Sequence, residues 1–180
     1  MSSNRVKLSV CTLVSLFAGY SEATCVNWEN TSIPESTPAS NYTILPDGTL
    51  TAPATGLMWK RCLEGQTLVD GICEGTLIIH NWADALAAAE AVTFAGHSDW
   101  RLANPKEMLS IFEDRCAYPA LNAELFPIYD FFASWTATPV DGSLQDIYIS
   151  VWVMDNDGGM KPQGRGSFLP MLLVRDLPES

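Results

Sequence analysis

Four cysteines, Cys25, Cys62, Cys73 and Cys116, stand downstream of an N-terminus built for export, and that combination constrains the fold of this 180-residue chain more than any other feature. Arg5 and Lys7 precede an apolar run from Leu8 to Gly19, and Tyr20-Ser21-Glu22-Ala23 follows with small side chains at Ser21 and Ala23. A charged segment, an apolar segment and a small-residue cleavage site make up a secretory signal, so residues 1–23 are expected to be removed. The apolar run falls short of the roughly 20 residues a helix needs to cross a bilayer. Cys11 lies within the signal, and neither Cys11 nor Cys25 sits in the setting of a lipid-modified cysteine. In an oxidising compartment the four remaining cysteines read as two disulfides. Of three pairings, Cys62 with Cys73 is favoured because Gly65 and Asp70-Gly71 let the chain reverse between them. Cys25 with Cys116 then follows by elimination. The spacings do not suit zinc, and neither His80 nor His97 sits at a ligand spacing from a cysteine.

The formal charge is -11, and loss of residues 1–23 leaves eight Lys and Arg against twenty Asp and Glu. Such a chain is repelled by phosphate backbones and anionic lipid surfaces, which excludes nucleic acid as the expected partner. Lys60-Arg61 is the only adjacent basic pair in the mature chain, so sulfated polysaccharide held by simple charge is not expected either. No later stretch is long and apolar enough to span a membrane. The expected location is secreted or periplasmic, with cell-surface association and oligomeric state left open.

Residues 24–40, with Pro34, Pro38 and many Ser, Thr and Asn, show no hydrophobic period and read as a linker-like lead-in tethered by Cys25. Tyr42-Thr43-Ile44 and Thr49-Leu50-Thr51 flank Pro46-Asp47-Gly48, a hairpin signature, and Leu57 to Cys62 looks like a third strand. Asn81 is a candidate N-cap before Trp82, Ala85, Leu86, Ala89 and Val92 at helical spacing. Asn104-Pro105-Lys106-Glu107 offers a cap, Pro at the first helical position and Glu at the third, with Met108, Leu109, Ile111 and Phe112 as its buried face. Strands are expected at Ser134 to Thr138, at Ile147 to Met154 and at Met171 to Arg175. The middle one is apolar on both faces, as a buried central strand is. Strands, two helices and then strands predict an α+β fold, two helices packed on mainly antiparallel strands with long loops.

Several phrases occur in one order: Asp47-Gly48-Thr49, Ala54-Thr55-Gly56-Leu57-Met58-Trp59, Trp82-Ala83-Asp84-Ala85-Leu86, Asp99-Trp100-Arg101-Leu102-Ala103-Asn104 leading into Lys106-Glu107, Ser134-Trp135-Thr136 and Leu173-Val174-Arg175. Together they resemble the Lcl C-terminal domain family over residues 41–177, with Ala103 where that family usually has Pro. The collagen-like repeats of the adhesin that names the family are absent. The resemblance implies a C-type lectin-like fold, similar also to sulfatase-modifying factors, in which the chain ends pair as strands and a loop-rich half presents ligands. That fold hosts sugar binders, protein binders and a few enzymes, so it does not by itself assign a function.

Each candidate for chemistry has a plainer structural reading. Asp99-Trp100-Arg101 before a capped helix is expected to lock the core, with Arg101 paired to an acid and Trp100 buried; Trp59 and Glu107 belong to the same structural set. Gly96-His97-Ser98-Asp99 offers Ser, His and Asp, but adjacent residues on an extended chain face opposite ways, and no hydrolase triad is expected. Asp155-Asn156-Asp157-Gly158-Gly159 resembles a calcium loop but lacks its distal Glu, and a hairpin turn is the expected use; no cofactor is expected. Tyr129, Trp135, Asp155 and Asp157 are the candidate ligand-binding residues, being aromatics and hydrogen-bonding groups in regions read as loops. The expected function is an exported bacterial binding or adhesion module for a glycan or protein ligand, followed by a structural envelope-assembly domain and last an enzyme.

Overall fold

The computed structural model describes residues 25–129, 133–140 and 150–178. The signal segment 1–23, Phe131, Phe132 and the first part of the strand expected from Ile147 lie outside the described residues. From the N-terminus come β1 (Trp28–Glu29), a 3-10 turn at Ala39–Asn41, β2 (Thr43–Ile44), β3 (Thr49–Ala52), β4 (Leu57–Lys60), β5 (Gln66–Val69), β6 (Ile72–Gly75) and helix α1 (Trp82–Ala91). Then follow β7 (Arg101–Leu102), helix α2 (Pro105–Leu109), β8 (Cys116–Ala117), β9 (Ala133–Pro139), β10 (Ser150–Asp155), β11 (Met160–Gly164) and β12 (Leu173–Asp176). The fold is α+β, and the ladders between these strands are antiparallel.

The central sheet has the order β2-β3-β4-β12-β7. One row across it runs Ile44, Leu50, Trp59, Val174, Arg101, from an exposed edge through a buried middle to the opposite edge. Because side chains alternate between faces, Leu50, Trp59 and Val174 enter one core while Met58, Leu102 and Leu173 enter another. The first core is completed by Met108, Ile111, Phe112 and Phe126, with the Phe126 ring edge-on to Trp59 at 6.2 Å. The second takes Ala85 and Ala89 of α1, Trp100, and Trp135, Val151 and Val153 of the three-stranded sheet β11-β10-β9. A sheet buried on both faces explains why Leu57 to Trp59 of β4 and Met171 to Val174, leading into β12, are apolar at every position. Within its described residues β10 is the middle strand, as its two apolar faces led one to expect.

The Asn81 side chain accepts from Asp84 N at 3.0 Å and caps α1. The capping box of α2 is complete: Asn104 accepts from Glu107 N at 3.0 Å, and Glu107 accepts from Asn104 N at 2.8 Å. That helix is only one turn and a half long, ending where Ser110 folds its hydroxyl back onto Glu107 O at 2.7 Å. Ile111 and Phe112 are buried after the helix ends, whereas Leu109, expected on the buried face, is 48% exposed. The expectation for Leu109 assumed a longer helix than the one that forms.

Both disulfides form as read from the sequence, Cys25 with Cys116 and Cys62 with Cys73, with Cα separations of 5.3 and 5.5 Å. The chain between Cys62 and Cys73 reverses as the hairpin β5-β6, through Asp70 and Gly71 at φ 49° and 84°. Residues 25–40, expected to be linker-like, are packed along the domain. Trp28 and Glu29 pair with Ala117 and Cys116, Thr37 is buried, and the Arg115 guanidinium donates to Ile33 O at 3.0 Å. Polar composition signals a lead-in without a hydrophobic period; strand pairing, hydrogen bonds, the Cys25–Cys116 disulfide and Ala39 against the first core seat this one.

Candidate functional site

Asp99, Trp100 and Arg101 are drawn into two ion pairs and a core. Trp100 is buried and its indole donates to Phe94 O at 3.1 Å. The Arg101 guanidinium meets both oxygens of Glu107 at 2.8 and 2.9 Å and reaches Asp176 at 2.8 Å. These bonds, led by the one to Glu107, push the guanidinium pKa up. Glu107 thus closes the α2 capping box and anchors edge strand β7 at once. Asp99 is held below the usual carboxylate range by the guanidinium of Arg175, which meets its two oxygens at 2.7 and 3.0 Å. With that carboxylate committed to Arg175, Asp99 is not placed to orient His97. A shallow cavity of about 360 Å³ lies beside this network, lined by Thr55, Leu57, Lys106, Glu107, Ser110 and Asp176. Its two carboxylates are already engaged by Arg101.

The Asp155–Gly159 stretch is the tight turn between β10 and β11. Asp155 accepts from Asn156 N at 2.8 Å and pairs with Lys161, while Asp157 accepts from Gly159 N at 3.0 Å and has Lys161 at 3.4 Å. The Gly159 amide, and then Lys161, lower the Asp157 pKa, and the bond to Asp155 raises that of Lys161. The positive charge that a calcium loop would take from a metal is supplied here by a lysine. Among the described residues, no three His, Cys, Asp or Glu side chains converge as a metal ion would need.

The candidate ligand-binding residues are not brought to one place by these contacts. Trp135 is fully buried, its indole donating to His80 O at 2.7 Å, so it offers no ring face to a ligand. Tyr129 is 54% exposed at the end of the described run 25–129. Asp155 and Asp157 remain at the surface, and a second loop lies against them: the Asn156 carbonyl accepts from Tyr118 N at 3.1 Å and Ala120 N at 2.8 Å. Tyr118 is 55% exposed at φ 61°, and its own carbonyl accepts from the Asn27 amide. One residue away across the β1-β8 ladder, opposite Ala117, Trp28 is 53% exposed.

Sequence reasoning missed Trp28 and Tyr118. Trp28 lies in the segment dismissed as a lead-in, and nothing in the sequence brings residue 28 beside residue 118 except the cysteine neighbouring each, Cys25 and Cys116. That disulfide was the available signal.

The basic groups are distributed in a way that matters for any partner. Lys60, Arg101, Arg115, Lys161 and Arg175 are paired with carboxylates. Arg61 is buried against the carbonyls of Leu125 and Glu124, and Arg165 lies over the Trp82 ring at 4.9 Å. Lys106 stands exposed apart from these pairs. No basic patch is assembled among the described residues.

These features define a disulfide-locked α+β domain whose conspicuous charged clusters serve the fold. The profile of the Lcl C-terminal domain matches residues 48–175, and the chain belongs to that family. No curated protein matches it.

Proposed function

We propose that the chain is an exported bacterial module that binds a glycan or protein ligand outside the cytoplasm. The observation that carries this reading is the exposure of two aromatics, Trp28 on β1 and Tyr118 just after β8 with the Asn27 amide on its carbonyl, in segments joined by a long-range disulfide. Aromatic faces beside hydrogen-bonding groups are the equipment of recognition surfaces, and such a surface needs an oxidising compartment to keep its disulfide. Among the described residues no helix is long and apolar enough to cross a membrane. The pairing of β4 with β12, Trp59 opposite Val174, supports the C-type lectin-like reading in which the domain ends meet in one sheet.

A structural role in envelope assembly is the second reading. It is favoured by the β5-β6 hairpin, where Val69 and Ile72 face each other in register at 41% and 47% exposure. Catalysis in the manner of sulfatase-modifying factors ranks last, because Cys62 and Cys73 are joined to each other and Cys62 is buried.

The test is a glycan array probed with mature protein in calcium and in chelator. Binding to neutral glycans that survives the chelator supports the module. Binding seen only with calcium would return a metal to the Asp155–Gly159 turn. Silence on the array, with crosslinking to an envelope protein through the hairpin, would favour the structural reading.

A further inference from the structure

We propose that Asp70-Gly71, at the tip of the β5-β6 hairpin, is a site of spontaneous isoaspartate formation, and that the fold protects Asp47-Gly48 and Asp157-Gly158 from the same reaction. The inference is independent of what the domain binds. Of the four Asp-Gly dipeptides in the chain, Asp141-Gly142 lies outside the described residues.

In an Asp-Gly sequence the backbone nitrogen of Gly can attack the side-chain carboxyl carbon of Asp, because the Gly has no β-carbon to shield it. The bond from that nitrogen to the carboxyl carbon closes a succinimide ring. The protonated carboxyl gives up its hydroxyl, which departs with the amide proton as one water. A second water then opens the ring. Cleavage at the side-chain carbonyl restores Asp, and cleavage at the main-chain carbonyl leaves the chain running through the Asp β-carbon, which is isoaspartate. No oxidant, cofactor or enzyme is required. The attack does require a carboxyl free to turn and a nitrogen that has no acceptor and is open to water.

Only one of the three described sites meets both requirements. Asp70 and Gly71 are exposed. Among the described residues the Asp70 carboxylate has no hydrogen bond or ion pair, and Gly71 N has no acceptor. Nothing stands within 4 Å of where a Gly71 β-carbon would be. At the second site Asp47 Oδ1 accepts from Thr49 N at 3.0 Å and from the Thr49 hydroxyl at 2.6 Å. Gly48 is buried there, with the Phe94 ring 3.2 Å from where its β-carbon would be. At the third site Asp157 accepts from Gly159 N at 3.0 Å and has Lys161 at 3.4 Å, while Gly158 N is committed to Asp155 O at 3.2 Å.

The hairpin itself selects the reactive pair. Asp70 and Gly71 have φ of 49° and 84° and join Val69 to its partner Ile72. A two-residue turn with both φ positive favours Asp-Gly, since few other pairs adopt it without strain. Isoaspartate adds one atom to the backbone of that turn. Register in a hairpin is set by the length of its turn, so Val69 and Ile72 lose their pairing while the Cys62–Cys73 disulfide keeps the two strands tethered.

The test keeps the mature, disulfide-bonded protein in warm, neutral buffer for several weeks and measures isoaspartate at each site by tandem mass spectrometry with electron-transfer fragmentation. Each hydrogen bond that must break first slows ring closure about three- to fivefold, so two put the protected sites about tenfold or more behind. Isoaspartate is expected to accumulate at Asp70 ahead of Asp47 and Asp157 by that margin. In the reduced protein unfolded in urea the three rates should converge, because every site is then followed by an unshielded Gly. Equal rates in the folded protein, or a faster rate at Asp47 or Asp157, would overturn the proposal. A lead for Asp70 that persists in urea would overturn the structural cause. Amide hydrogen exchange at Val69 and Ile72 should be faster in the aged protein than in the fresh, and unchanged exchange at an isomerised turn would overturn the loss of pairing.

Discussion

Glu113 is fully buried, yet it has four donors: Ser36 N, Thr37 N, the Thr37 hydroxyl and Arg115 N, at 2.8 to 3.1 Å. Burial pushes its pKa up, but the hydrogen bonds from Thr37, Ser36 and Arg115 together outweigh burial and hold it below the ordinary carboxylate value. A group depressed in the folded state contributes stability above its unfolded pKa, about 4.3, and loses it as the pH falls through the folded value. Melting temperature is therefore expected to decline as the pH drops below that point, and Glu113→Gln should flatten the decline. The same substitution should cost about 2 kcal/mol at neutral pH, through weakened charge-assisted hydrogen bonds. Arg101 behaves differently because its side chain is 35% exposed. Water screens the bidentate pair with Glu107, so Arg101→Ala is expected to cost about 1 to 2 kcal/mol by urea unfolding, well under the loss from breaking a fully buried pair. The acid partner of Arg101 was foreseen in kind, but its exposure follows from β7 being the last strand of its sheet.

At the scale of elements, local signals were read well where their partners lie within a few residues. The α1 cap and the α2 capping box are such cases, and so is the Pro46-Asp47-Gly48 turn, where Thr49 N meets Asp47 at 3.0 Å. Asn104→Ala should cost about 1 kcal/mol, measured by thermal unfolding, because two amide donors, Lys106 N and Glu107 N, lose their acceptor. The strands of the β5-β6 hairpin went unrecognised, since Gln66 to Gly75 alternates too weakly to announce them. Its base is built on Gly65, at φ 88°, where a Cβ would stand 2.2 Å from Thr76 O. Opening the Cys62–Cys73 disulfide by paired Ser substitution is expected to cost about 3 kcal/mol on chain-entropy grounds. Hydrogen exchange should then rise across Gln66–Gly75 and leave β4 and β12 protected. Exchange rising throughout the central sheet would show the hairpin to be part of the core.

For the whole molecule, the long Cys25–Cys116 bridge encloses most of the first core and ties down the segment that resembled a linker. Mass spectrometry of exported protein is expected to show a start near Thr24 and no free thiol; retained residues 1–23 would refute the signal. The distribution of cations leads to a second expectation. With nearly every Lys and Arg paired or buried, the mature protein should pass a heparin column at physiological ionic strength, where screening confines charge interactions to about 8 Å. Retention that weakens steeply with added salt would show a basic surface that the described residues do not contain.

What the sequence determined by itself were the properties carried by short-range pattern and by counting: two helices with their caps, the α+β order, the apolar central strands, the acidic balance, the cysteine pairing and the family. Each depends on residues a few positions apart or on totals, so no knowledge of distant neighbours was needed. Tertiary structure decided which faces of those elements water reaches. It buried Trp135 against the His80 carbonyl and closed Thr37 onto the buried Glu113. It also set Trp28 beside Tyr118, ninety residues on. Exposure and juxtaposition arise from packing between segments remote in the chain, and a linear pattern holds no record of the distances that packing creates.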